Sequence, residues 1–185
     1  MNCLIGKKLQ RDEPPIFEDD NWTFRTDPVL GAGLQEVDKV IRKMGLVEFD
    51  SAPPGDFDWP RFFKLEMAYL LLWSAIERFL SLLAGPALEP GEKLRCLAAD
   101  PDFAKCLSAV VTETRRIHDA RDPGEGCTLN SERPLGAARY YYQVRNNLSH
   151  RGKGAWSDAE IVRKSLCELS DIFKRTLELK GCQRA

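Results

Sequence analysis

The chain has 185 residues, 43% of them hydrophobic and 30% charged, which suits one globular domain with residues to spare. Its net charge of −1 excludes a protein coated in positive charge, and with it indiscriminate nucleic-acid binding.

Residues 1–28 are polar, hold Pro14, Pro15 and Pro28, and bunch acids at Glu18, Asp19 and Asp20. Without periodicity they are predicted to be mostly irregular, and their acids suit a flap over a basic surface. Leu30, Leu34, Val37, Ile41 and Met44 then recur at 4-3-4-3 spacing, one stripe of an amphipathic helix that Gly45 stops. A loop rich in Pro and Gly runs from Ser51 to Pro60. Pro60 suits the first turn of the next helix, predicted to reach about Ala84 before Gly85-Pro86 ends it. Its middle, Met67 to Ile76, is apolar all round, as in a helix central to a bundle or lying in a subunit interface. At ten residues that run is too short to span a bilayer, and no secretory pattern opens the chain. A cytoplasmic protein without membrane contact is expected.

A short helix is predicted over Glu92–Ala98. Asp100-Pro101 reads as an N-cap and a first-turn proline, and Phe103, Leu107, Val110, Val111 and Ile117 carry that helix toward Ala120. Residues 121–133 have loop composition. Pro134 opens another helix, with Gly152 and Gly154 just past its end. Ser157-Asp-Ala-Glu160 is a capping box for the last helix, whose apolar face runs from Ile161 to Leu179. No alternating segment is long enough to read as a strand. The expected fold class is all-α: a helical bundle over 60–181 behind an N-terminal extension over 1–59.

Six cysteines form no C-x-x-C pair, and neither histidine sits at zinc-ligand spacing from one of them. Reduced thiols are expected, with no metal and no cofactor. Gly31-Ala-Gly33 lacks the rest of a phosphate loop and the strand before it. No Ser/His/Asp or paired-carboxylate arrangement stands out.

Charge is unevenly spread. Residues 1–60 carry twelve acids against seven bases, whereas 133–157 carry Arg133, Arg139, Arg145, Arg151 and Lys153 with no acid at all. That window also holds Tyr140, Tyr141, Tyr142, Trp156 and His150, one of two histidines in the chain. A histidine among cations and aromatics suits acid–base work on a phosphodiester. Metal-free RNA cleavage needs a base for the 2′-hydroxyl, an acid for the leaving 5′-oxygen and a cation for the charge on phosphorus. His150 fills one proton role, Arg145 holds the phosphate with its planar fork, and Asn146 orients the histidine or binds a phosphate oxygen. Arg139, Tyr142, Arg151 and Lys153 are candidate RNA contacts. On an ideal helix Arg145 and His150 diverge by about 140°. One histidine is thin for two proton transfers, and a twofold dimer would supply the second.

Tyr-Gln-Val-Arg145-Asn-Asn-Leu-Ser-His150-Arg-Gly-Lys resembles the signature helix of the HEPN superfamily, especially its bacterial Apea-like members. Ser165–Phe173 resembles the partner of that helix, and Leu72–Phe79 resembles an earlier family element, so the likeness covers roughly residues 60–180. It implies an α-helical bundle that commonly dimerises with two Arg–His motifs facing one cleft. Many such proteins are metal-independent endoribonucleases of toxin–antitoxin and phage-defence systems, some with a small nucleotidyltransferase-like antitoxin. The family's catalytic pair matches Arg145 and His150, with Asn146 at the polar position. Other members are inactive modules that bind a partner protein or a nucleotide.

Two further residues carry bland expectations. Glu77 is predicted to be a buried carboxylate pairing Arg145 or Arg78 in structural support. His118 is predicted to lie in a solvated helix tail.

Overall fold

The structure is a computed structural model that describes residues 23–49, 55–85, 88–122, 124–151 and 158–181; at positions 150 and 151 it describes the backbone alone. Most of the predicted lead (1–22), the glycines and Lys153 after the signature helix, Trp156 and Ser157 lie outside the described residues. Four cysteines, Cys96, Cys106, Cys127 and Cys167, are described and free.

Among the described residues six α-helices and one small hairpin make the fold, so the expected all-α class is the observed one. Helix α1 spans Pro28–Val40 and runs into a π-helical turn over Ile41–Gly45. Asp27 caps it by accepting from the Leu30 N–H at 2.7 Å, and Leu30, Leu34 and Val37 form its buried stripe. Helix α2, Trp59–Ala84, begins with Asp58 accepting from the Arg61 N–H at 3.1 Å. Gly85 ends it with a φ of 98°, a conformation that side-chain-bearing residues rarely adopt.

The middle of α2 is the centre of the core. Phe62, Leu65, Tyr69, Leu72, Trp73, Ile76 and Phe79 are all buried, and they meet α1, α5 and α6 on different sides. At 26 residues α2 is the helix among the described residues long and apolar enough, by length and composition, to cross a membrane. The ten-residue apolar run understated it. Its large side chains nevertheless supply the interior of the bundle, the ordinary place for an all-round apolar helix. Helix α1 lies antiparallel along α2: Asp27 meets Arg78 at 2.6 Å, whereas Val40 lies near Pro60 and Lys64.

Helices α3 (Pro90–Ala99) and α4 (Pro101–Val110) follow. Glu89 and Glu92 form a reciprocal capping box on α3, and Asp100 accepts from the Asp102 and Phe103 N–H groups to start α4. Here the structure corrects the sequence reading. Helix α4 stops at Val110, and Val111 turns extended, with φ −86° and ψ 109°. The β-branched run Val110-Val111-Thr112 favours that exit. Arg115–His118 is strand β1, paired antiparallel with β2, Gly126–Leu129, inside the segment predicted to be loop. Ile117 points inward while Arg116 and His118 are exposed, a period-2 pattern too short to register in sequence. Gly126 is needed at the hairpin's mouth, because a Cβ there would stand 2.5 Å from the Ile117 carbonyl oxygen.

Helix α5 spans Pro134–Arg151 and α6 spans Ala159–Leu179. Asp158 rather than Ser157 is the N-cap of α6, and its side chain makes no capping hydrogen bond. Phe173 of α6 meets Phe79 of α2 edge-on at 5.4 Å, closing the core from the C-terminal side.

Candidate functional site

Helix α5 carries the predicted site, and its two faces divide the three tyrosines. Tyr140 and Tyr141 are fully buried, and Tyr142 is half-buried. Tyr142 packs edge-on against Trp73 of α2 at 5.4 Å, and the Arg145 guanidinium lies over the same ring at 5.6 Å. Arg145 Nη1 donates to Asn146 Oδ1 at 3.3 Å. No carboxylate among the described residues pairs with Arg145, and a planar guanidinium suits an oxyanion there. Ser149 donates its hydroxyl to the Arg145 carbonyl at 3.0 Å.

Tyr142, Arg145 and Asn146 therefore form one group. Arg139 stands apart: it is exposed and lies beside Cys127 of β2, where its charge opposes the upward push of burial on that thiol. The backbone of His150 and Arg151 belongs to the last turn of α5. Glu77 does not take either of its predicted partners. Arg78 gives its guanidinium to Asp27 instead, from Nε at 3.0 Å and Nη2 at 2.6 Å, and Glu77 forms no ion pair among the described residues. The N-cap carboxylate of α1 outcompetes it because it is already buried and aimed at α2.

Sequence reasoning chose Asn146 and passed over Asn147, which is the more constrained of the two. Asn147 is buried; its Oδ1 accepts from the Ala120 N–H at 3.0 Å and from Gln143 Nε2 at 2.9 Å, and its Nδ2 donates to the His118 carbonyl at 2.8 Å. It fastens the end of β1 to α5 one turn before His150. The available signal was position: Asn147 falls three after Val144 and seven after Tyr140, on the apolar stripe. His118 is accordingly a strand residue held against α5, not a helix tail.

The hairpin also changes the charge around α5. Asp119 follows β1 and pairs with Arg121 at 3.7 Å. The Arg121 backbone N–H, the Gln143 side chain and the Arg121 charge hold its carboxyl below the ordinary range despite some desolvation. The acid-free stretch of sequence thus has an acid folded onto it from a distant segment.

Behind the site lies a partly buried ion pair. Arg115 of β1 bonds Glu168 of α6, and Tyr141 donates to the same carboxylate oxygen at 3.2 Å. Burial is the largest influence on the Arg115 guanidinium and works against its charge, but Glu168 outweighs it and strengthens the cation. Tyr69 donates its hydroxyl to the Tyr141 carbonyl at 2.8 Å, tying α2 to the same helix. Among the described residues no three His, Cys, Asp or Glu side chains converge as a metal site. Compared with models of protein families, with curated proteins and with solved structures, the chain finds no match.

Proposed function

We propose that the chain is a HEPN-type, metal-independent endoribonuclease acting as a cytoplasmic homodimer, a toxin or phage-defence effector. In this reading His150 is the general acid/base, Arg145 is the phosphate clamp and Asn146 supports them. The observation that carries it is the state of Arg145: half-buried, over the Tyr142 ring and without a carboxylate partner among the described residues, five residues before a histidine at the helix end. A structural arginine in such a place would ordinarily be neutralised by an acid. An arginine left open on an aromatic shelf is suited to a phosphate, with the tyrosine edge available to a base. Arg151 and Lys153 would extend the RNA path, and a small nucleotidyltransferase-like antitoxin is the partner the resemblance suggests.

Purified protein incubated with RNA and EDTA is expected to give fragments ending in cyclic phosphate or 3′-phosphate. His150→Ala is expected to slow cleavage by about 10²–10⁴-fold, the usual worth of a positioned proton-transfer group. Cleavage that survives the substitution, or that needs a divalent metal, rejects the mechanism. A second reading, an inactive module binding a partner protein or nucleotide, draws on the Asp119 carboxylate folded against Gln143. It expects no RNA cleavage and partner binding unchanged in His150→Ala.

A further inference from the structure

We propose that the outward stripe of α2 binds a second copy of this chain, antiparallel, about a twofold axis passing beside Met67. Phe63, Met67 and Leu71 recur every four residues, so they form one stripe, and they are 49%, 64% and 39% exposed. Val40 of α1 joins Pro60, Ala68 and this stripe to line an apolar groove of about 530 Å³. A contiguous patch of Phe, Met and Leu side chains has the composition of an interface core.

The charges at the groove identify the occupant. Glu36 stands on the α1 wall and Lys64 on the α2 wall. Because α1 is antiparallel to α2, with Gly33 against Leu71 and Ala75 and Val40 near Pro60, Glu36 is level with residues 67–71. A twofold beside Met67 carries Lys64 to the level of residue 70 on the other copy, opposite the partner's Glu36. Lys64 forms no ion pair with any described residue, and Glu36 is engaged only by exposed Lys39. The surface is therefore complementary to itself in charge as well as apolar, the requirement for a twofold interface. The exposed stripe from Phe63 to Leu71 covers eight steps of helix, about 12 Å, and forms the apolar centre of the contact, with Glu36 and Lys64 at its edge.

Symmetry then has a consequence for α5. Rotation about an axis normal to the plane of two antiparallel helices leaves the same flank of each facing the same way. Trp73 lies on one flank of the α2 stripe and carries Tyr142 and, through it, Arg145. Both Arg145 side chains would thus open on one surface of the dimer. This consequence rests on the ribonuclease reading, whereas the dimer does not.

Light scattering on the full chain at micromolar concentration is expected to give twice the chain mass. Met67→Glu should raise the dissociation constant about thirtyfold or more, as for loss of a central contact, with unchanged helical circular dichroism. Lys64→Glu should weaken the dimer and Glu36→Lys on top of it should restore it. Met67→Cys, placed beside the axis, should cross-link to its own copy under mild oxidation, whereas Val29→Cys at the far end of α1 and the parent chain should not. A monomeric parent protein overturns the proposal, and a monomer that floats with phosphatidylcholine vesicles assigns the stripe to a membrane. A dimer indifferent to Met67→Glu that fails to cross-link through Met67→Cys overturns it as well. None of these readouts is RNA cleavage: an inactive dimer leaves the interface standing, and a monomer that cleaves RNA through His150 overturns the interface and the dimeric form of the nuclease while leaving His150 and Arg145 as its residues.

Discussion

Asn146 and Asn147 are chemically identical neighbours whose surroundings give them opposite work. Among the described residues the Asn146 side chain hydrogen-bonds to Arg145 alone, beside any anion the arginine holds. Asn147 uses both ends of its amide on groups of other segments, which leaves it no freedom to meet a ligand. Removing Asn147 would strand the Ala120 N–H and the His118 carbonyl against the helix. An unsatisfied buried polar group costs about 1–3 kcal/mol. Asn147→Ala is therefore expected to lower the urea midpoint by that order of stability, whereas Asn146→Ala leaves it nearly unchanged. Equal midpoints for the two variants would show that the hairpin does not hang on Asn147.

At the scale of elements, the hairpin is held from two directions: Asn147 at the end of β1, and the Arg115–Glu168 pair at its start. With side chains only 18% and 24% exposed, each charge depends on the other for compensation. Breaking such a pair from one side leaves a charge without its partner, a larger loss than removing both. Glu168→Ala is expected to destabilise the protein by about 1–3 kcal/mol, discounted for partial exposure, and Arg115→Met on top of it should recover part of that. A double variant less stable than the single would mean that Arg115 contributes chiefly by packing its stem. The helices were legible in sequence because their signals are local: the Asp-Pro start of α4, the glycine after α2, and apolar stripes in α1 and α6. The hairpin was not, because its four-residue strands are too short to show a pattern and gain their stability from packing on α5 and from the Arg115–Glu168 pair to α6. The Asp119 and Asn147 contacts are made by tertiary packing as well, so the helix over 134–151 was legible but the charge folded over it was missed. Glu77 failed for a related reason: which acid Arg78 meets depends on how α1 lies along α2, and no spacing within α2 encodes that.

Across the whole molecule, the segment after α1 is strapped down by arginines from two different helices. Arg61 of α2 bonds the carbonyls of Met44, Val47 and Glu48 and stacks over Phe49 at 4.2 Å. Arg163 of α6 donates to the Gly45 carbonyl at 2.6 Å and is itself held by Glu160. Gly45 permits this approach, since a Cβ there would meet Cys167 Sγ at 3.1 Å. Glu160 links both halves of the strap, because it also accepts from the Phe49 N–H at 3.3 Å. Burial pushes its carboxyl up, but the hydrogen bonds from Arg163 and Phe49, with the charges of Arg163 and Lys164, outweigh this and hold it below 4.5. A carboxyl lower in the fold than in the unfolded chain contributes stability that is complete above its unfolded value and is lost as pH falls through the folded one. Below pH 4.5 the strap should therefore loosen as Glu160 takes up its proton. Glu160→Gln keeps the side chain's size but has no proton to gain. Urea midpoints measured between about pH 6 and about pH 3 should fall less steeply in that variant than in the parent, while every other carboxyl titrates alike in both. Parallel slopes would show that Glu160 is not what joins α6 to the end of α1.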